Sequence, residues 1–144
     1  MRRKSLSYKP LVVRFLSCVV CTLAVQCALS GIIVDRGRFE TKLSDIRLQN
    51  HPMLKIYHGG SKRDIPLKRV NTIIIDPSTT ITVDNELYFS ADITLRNNNR
   101  LKSLDKDQTI STKVFLSVQD ALVGRNGDDR FVISLEDVSR LTVR

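Results

Sequence analysis

After His51-Pro52 the chain alternates apolar and polar residues with a period of two. The clearest stretch is Glu86 to Arg96. There Leu87, Phe89, Ala91, Ile93 and Leu95 point one way, and Glu86, Tyr88, Ser90, Asp92, Thr94 and Arg96 the other. Successive side chains of a strand take opposite faces, so this alternation predicts a half-buried antiparallel strand. The same pattern predicts strands over Met53–His58, Arg63–Leu67, Val70–Asp76, Thr79–Val83, Ile110–Val118, Ala121–Arg125, Arg130–Leu135 and Ser139–Val143. Turn residues separate them: Gly59-Gly60, Pro77-Ser78, Asp84-Asn85, Asn97-Asn98-Asn99 and Asn126-Gly127. Asn and Gly accept the positive φ of tight hairpin turns, which makes Asn126-Gly127 the strongest hairpin signal. Pro66 has no N–H to donate and marks an edge strand or a strand end. Eight or nine short strands at hairpin spacing predict an all-β domain, a small antiparallel β-sandwich or barrel.

Ahead of this β domain (51–144) the period differs. Phe39, Leu43, Ile46 and the nearby Leu48 form an i, i+4, i+7 stripe. That spacing predicts a short amphipathic helix or linker over residues 31–50. Further upstream, Phe15 to Val34 contains no charged residue, and it follows Arg2, Arg3, Lys4, Lys9 and Arg14. A basic segment followed by an apolar one is the layout of a secretory signal. Residues 1–30 are therefore expected to form an N-terminal hydrophobic helix, cut after Ala28-Leu29-Ser30 with Gly31 as the new first residue. The competing reading is an anchor that stays uncut. Phe15–Val34 is 20 residues, and about 20 residues in a helix cross the hydrocarbon core of a membrane. Under either reading the domain is exported to the periplasm, cell surface or medium, and membrane contact runs only through residues 15–34.

Composition changes meaning once it is placed. The chain has a formal net charge of +8, but residues 1–14 carry five bases and no acid, which leaves +3 for the rest. Cys18, Cys21 and Cys27 also lie in the apolar segment. The exported part therefore has no disulfide and no thiol nucleophile, and the C-x2-C spacing has no second ligand pair to make a zinc site.

The chain also repeats itself. At an offset of 68, Leu54, Gly59, Ile65, Leu67 and Val70 fall on Leu122, Gly127, Ile133, Leu135 and Val138. Ile73 and Ile75 fall on Leu141 and Val143. Units 53–75 and 121–143 each read as strand, glycine turn, strand, corner, strand, which predicts an internal duplication. At the corner the two copies differ in sign, Lys68-Arg69 against Glu136-Asp137. Equivalent corners of opposite charge would complement each other, either inside one domain or between neighbouring chains. Between chains such a contact is head-to-tail.

Chemistry is sparse. His51 and His58 are the two histidines, and their spacing of seven fits no H-E-x-x-H helix. No G-x-S-x-G elbow or phosphate loop occurs. Asp105-Lys106-Asp107 and Asn126–Asp129 do not form an EF-hand, so no metal or cofactor is expected. Lys62, Arg63, Lys68 and Arg69 cluster, as do Arg96, Arg100 and Lys102, but outward aromatics are few and Trp is absent. That argues against nucleic acid, while an anionic envelope component could still use the same cations. The expected function is a non-enzymatic binding or assembly module at the cell envelope. Its partner would be another protein or a second copy, and its surface would comprise Lys62, Arg63, Lys68, Arg69, Glu136 and Asp137. The alternatives are a small exported hydrolase using His51 or His58, and a single-span subunit of a larger complex.

Overall fold

The computed structural model describes residues 28–96 and 111–144. Ten antiparallel strands form one open sheet, with two single-turn 3-10 corners, Leu67–Arg69 and Leu135–Asp137. The strands are β1 (Gly31–Asp35), β2 (Glu40–Leu48), β3 (Met53–His58), β4 (Ser61–Pro66), β5 (Val70–Val83), β6 (Glu86–Leu95), β7 (Ser111–Ser117), β8 (Ala121–Asn126), β9 (Asp129–Ser134) and β10 (Val138–Val143). Their order across the sheet is β4-β3-β7-β6-β5-β10-β1-β2-β8-β9, with β4 and β9 as its two edges. The all-β expectation holds, and the sheet closes neither as a barrel nor by splitting into two hydrogen-bonded layers.

Residues 31–50 correct the expected helix or linker, because they form β1 and β2. Asp45 takes a positive φ of 52°, and the pairing of β2 with β8 shifts between Ser44 and Arg47. This β-bulge adds one residue, so the buried Leu43 and Ile46 stand three apart instead of two. A bulged strand thereby imitates the spacing of a helix. Phe39, which completed the apparent stripe, is 73% exposed.

A second correction concerns Pro77-Ser78, expected as a turn. They lie inside β5, at a bulge between Asp76 and Thr80 where Pro needs no ladder partner. The Asp76 carboxylate accepts from the Ser78 N–H at 2.9 Å and hydroxyl at 2.6 Å. Pro66 does end an edge strand. The Asn126-Gly127 hairpin is present, with its two-residue turn one step later at Gly127-Asp128, since Asn126 pairs with Asp129.

The two anticipated units share one geometry. Leu54 faces Ile65 and Met53 faces Pro66, just as Leu122 faces Ile133 and Ala121 faces Ser134. Between β5 and β10 the register is symmetric about Ile73↔Leu141, flanked by Ile74↔Arg140 and Thr72↔Thr142. Shifting by 68 turns this ladder into itself, so a pseudo-two-fold axis passes between Ile73 and Leu141.

The correspondence extends beyond the offset of 68. Ile93 pairs with Ile73 as Ile33 pairs with Leu141, which sets β6 against β1 at an offset of 60. Past Asp45, Ile46-Arg47-Leu48-Gln49 of β2 stand in the places of Leu116-Ser117-Val118-Gln119 after β7. The Ile46 N–H donates to the Leu29 carbonyl, and Leu116 pairs with Phe89. The first half is thus β1–β5 and the second β6–β10. They are interleaved: β6 and β7 sit between β3 and β5, and β1 and β2 between β10 and β8.

One core cluster runs through both halves, built on Ile33, Leu54, Ile73, Leu116, Leu122 and Leu141, each at most 1% exposed. Val70 and Val138 are fully buried at the two corners. At the start of β1, the Leu29 carbonyl accepts from Ile46 N–H and the Ser30 carbonyl from Arg144 N–H. Gly31–Val34 belong to the sheet and are not available to a membrane span over 15–34. No helix among the described residues is long and apolar enough to cross a membrane. The expected N-terminal helix and Cys18, Cys21 and Cys27 lie outside the described residues, as do Asn97–Asn99 and Asp105–Asp107.

Candidate functional site

The corner residues are all exposed: Lys68 and Arg69 precede β5, and Glu136 and Asp137 precede β10. The antiparallel register places the corners at opposite ends of the β5–β10 pair, about 25 Å apart along the strands. Among the described residues no ion pair joins them. Complementarity inside one domain is thereby overturned, because the pseudo-two-fold that makes the corners equivalent also carries them apart.

Lys62 and Arg63 lie on edge strand β4. Lys62 is engaged within the chain, with Nζ 2.9 Å from Asp84 Oδ2 and 3.3 Å from Glu86 Oε2. Its hydrogen bond to Asp84 raises its pKa above the ordinary lysine value. Arg63 Nε donates to Ser61 Oγ at 3.4 Å.

Around Glu86 lies a cluster on the face of the sheet turned away from the core. Tyr88 donates its hydroxyl to Glu86 Oε2 at 2.7 Å, and Lys55 Nζ stands 3.5 Å from Oε1. The Tyr88 hydroxyl, followed by Lys62 and Lys55, holds the Glu86 carboxyl below its usual range against a small cost of burial. Tyr88 packs on Tyr57 with ring centroids 6.3 Å apart and has no exposed surface. Alternation placed Tyr88 on the outward face correctly; only the neighbouring strands show that it is covered there.

His51 meets Asp120 rather than His58. Its Nδ1 is 3.1 Å from Asp120 Oδ2. Asp120 also accepts from the backbone N–H of Asn50, His51 and Ala121 and from Asn50 Nδ2. The pair clamps the β2–β3 linker to the β7–β8 linker. The pairing has the geometry of a base and its orienting carboxylate, but among the described residues no hydroxyl is hydrogen-bonded to His51, whose side chain is 43% exposed. His58 ends β3, where its carbonyl accepts from Ser61 Oγ. Among the described residues no group of His, Cys, Asp or Glu could hold a metal ion.

Burial disfavours ionised Asp120, but the hydrogen bonds from Ala121, Asn50 and His51 outweigh it and lower its pKa. A depressed folded-state pKa contributes stability above the unfolded value, and that stability is lost as pH falls through the folded one. Asp120→Asn should therefore reduce the acid-induced loss of stability as pH falls below the ordinary aspartate range, about pH 4, in urea melts. Asp120→Ala should cost roughly 1–3 kcal/mol at neutral pH. Parallel pH profiles for wild type and Asp120→Asn would remove this role from Asp120.

One feature was invisible in the sequence. Arg47, Arg125 and Arg130 are exposed and crowd around Val123 on the outer face of β2, β8 and β9. A cavity of about 790 Å³ opens there, lined by Arg47, Val123 and Arg130 with Leu29, Leu48 and Leu67. A smaller hollow of about 270 Å³ adjoins it, with Arg125 and the acid Asp45 on its wall. Sequence separation of about 80 residues between Arg47 and the other two hid this group, and the bulge at Asp45 hid the correspondence of β2 with β7.

No protein-family model, curated protein or solved structure matches the chain.

Proposed function

We propose that the protein is an exported, non-enzymatic β domain that binds a protein partner or copies of itself at the cell envelope, and that its halves arose by tandem duplication. The observation that carries the assembly reading is the pair of corners. Lys68-Arg69 and Glu136-Asp137 are equivalent in geometry, opposite in sign, exposed and too distant to meet within one chain. Unlike patches on one molecule favour a head-to-tail contact between copies, which makes a ring or an open filament. The same cations could instead meet an anionic envelope component.

Export is supported by the basic start and the uncharged run after Arg14. With Gly31–Val34 in the sheet, the run left for a span is shorter than the roughly 20 residues a membrane-crossing helix needs, which favours a signal over an anchor. The hydrogen bonds to the Leu29 and Ser30 carbonyls favour a mature chain that keeps both residues. A second reading, a hydrolase built on His51, is favoured by the Asp120 contact alone.

Light scattering tests the assembly. Lys68→Glu with Arg69→Glu should lower the assembled mass, and adding Glu136→Lys with Asp137→Lys should restore it. Exposed pairs contribute only ~0–1 kcal/mol each, so the change should be largest at low salt. A wild-type mass that stays monomeric at every concentration would sink the head-to-tail contact.

A further inference from the structure

The two edge strands occupy equivalent places in the two halves, and only one of them is guarded against further pairing. At the offset of 68, β4 falls on β9: Arg63 on Phe131, Asp64 on Val132, Ile65 on Ile133 and Pro66 on Ser134. Arg63 stands opposite the buried Ile56, so β4 carries a charge on its core-facing side, and Pro66 removes a backbone donor. An inward charge, further charges and a proline are devices that stop an edge from templating another strand. In β9 the residues at these places are apolar or neutral. Phe131 and Ile133 face the core and are only partly buried, and Val132 is 48% exposed on the outer face.

The register shows which backbone groups β9 leaves free. Its two-residue turn closes on Asn126↔Asp129, and beyond its far end the Leu135 N–H donates to the Asp120 carbonyl at 3.0 Å. Odd-numbered residues of β9 therefore bond to β8, while Arg130, Val132 and Ser134 turn their N–H and C=O groups away from it. Among the described residues β9 has no other strand partner. The residues outside the description adjoin β1, β6 and β7 in the chain, and β2 and β8 lie between all three of those strands and β9.

We infer that β9 pairs antiparallel with β9 of a second copy, about a two-fold axis through Val132, so that two sheets join edge to edge. One register uses every outward group: Val132 opposes Val132 of the second copy and Arg130 opposes Ser134, so each outward N–H meets an outward carbonyl. No like charges are directly opposed in it. On the core-facing side Phe131 meets Ile133 of the other copy, an aromatic and β-branched pair that covers both. Pairing β9 with β4 of a second copy would instead set Pro66 against Arg130, leaving the Arg130 carbonyl without a donor, and Asp64 against the apolar Val132. Self-pairing is therefore what the edge chemistry favours. The contact is isologous and uses neither charged corner, so it is separate from the head-to-tail contact proposed above.

The test is the mass of the full chain against concentration, by analytical ultracentrifugation at high salt, which screens the corner charges. Wild type should associate in pairs. Ser134 has φ −61° and ψ 140°, close to Pro66 at −63° and 132°, so Ser134→Pro fits the backbone. It breaks no bond to β8 and loses only the 3.3 Å bond that the Ser134 hydroxyl accepts from the Glu136 N–H. It should weaken pairing by about tenfold or more and leave the melting temperature at low concentration unchanged. Val132→Asp and Val132→Lys should each weaken pairing as well, because like charges then oppose across the axis, and an equimolar mixture of the two should pair again. Lys68→Glu with Arg69→Glu should pair as wild type does. A wild type that stays monomeric, a Ser134→Pro chain that pairs as tightly, or a mixture that fails to pair would each overturn the inference. Tighter association by Val132→Lys alone would overturn it in favour of β9 against Asp64 of β4. Loss of the pair in the Lys68→Glu, Arg69→Glu chain would overturn it in favour of the corners.

Discussion

Gly31→Ala should destabilise the domain by about 3 kcal/mol and lower its melting temperature by roughly 10 °C. Gly31 opens β1 in the middle of the sheet, where it faces Val143 on one side and Leu43 on the other. A Cβ built on it collides with the carbonyl oxygen of Thr142 and presses on Ile46 Cδ1. The first of these is backbone in a central ladder, so it cannot rotate away, and relief requires β10 to move from β1. The pseudo-equivalent position carries Ala91, 1% exposed, which shows that the other half accommodates a methyl there. Thermal unfolding followed by circular dichroism checks this, with Ala91→Gly as the comparison. That change should cost only about 1 kcal/mol, the order expected for glycine replacing alanine. A Gly31→Ala protein melting within about 2 °C of wild type would show that β1 and β10 are looser than their pairing implies.

Cutting the chain between Asp84 and Asn85 should leave two fragments, neither of which folds alone. Both residues have positive φ, 50° and 63°, in the exposed two-residue turn that joins β5 to β6. Residues 1–84 would keep the β1–β2 and β3–β4 hairpins, and residues 85–144 the β6–β7 and β8–β9 hairpins. Every other pairing, β5 with β6 and β10, β3 with β7, β1 with β10 and β2 with β8, joins one half to the other. Isolated two-stranded hairpins are marginal in water, and the shared core supplies neither fragment with a complete apolar face. Each fragment alone should lack a cooperative thermal transition. Mixed at equal concentration they should form a one-to-one complex with the sheet signal of the intact chain. A fragment that melts cooperatively by itself would show that the halves are independent domains, contrary to the interleaved order.

Much of the fold was legible because alternation reports burial directly. β3, β6 and β8 lie where the period of two places them, and the offset of 68 matches the register of both hairpins and both corners. What the sequence hid follows from the same physics. A period-two signal fails wherever a bulge inserts a residue, which is why β2 resembled a helix and why β5 looked like two strands around Pro77. Charge at the corners was visible, since Lys68-Arg69 and Glu136-Asp137 are adjacent in the chain. The arginine cluster was not, because Arg47 and Arg130 become neighbours only when β2 pairs with β8 and β8 with β9. Likewise the His51–Asp120 clamp joins two linkers that are far apart in sequence.

The sequence by itself therefore determined the all-β class and most strand positions, since each depends on local patterns of burial and turn chemistry. Tertiary structure alone decided that strands β1–β5 interleave with β6–β10, that the charged corners lie at opposite ends of the β5–β10 pair, and that Glu86 and Tyr88 are packed among Lys55, Tyr57 and Lys62 on the outer face. Strand order is a long-range choice, set by which apolar faces cover each other across the whole chain, and alternation along a single strand carries no record of its neighbours.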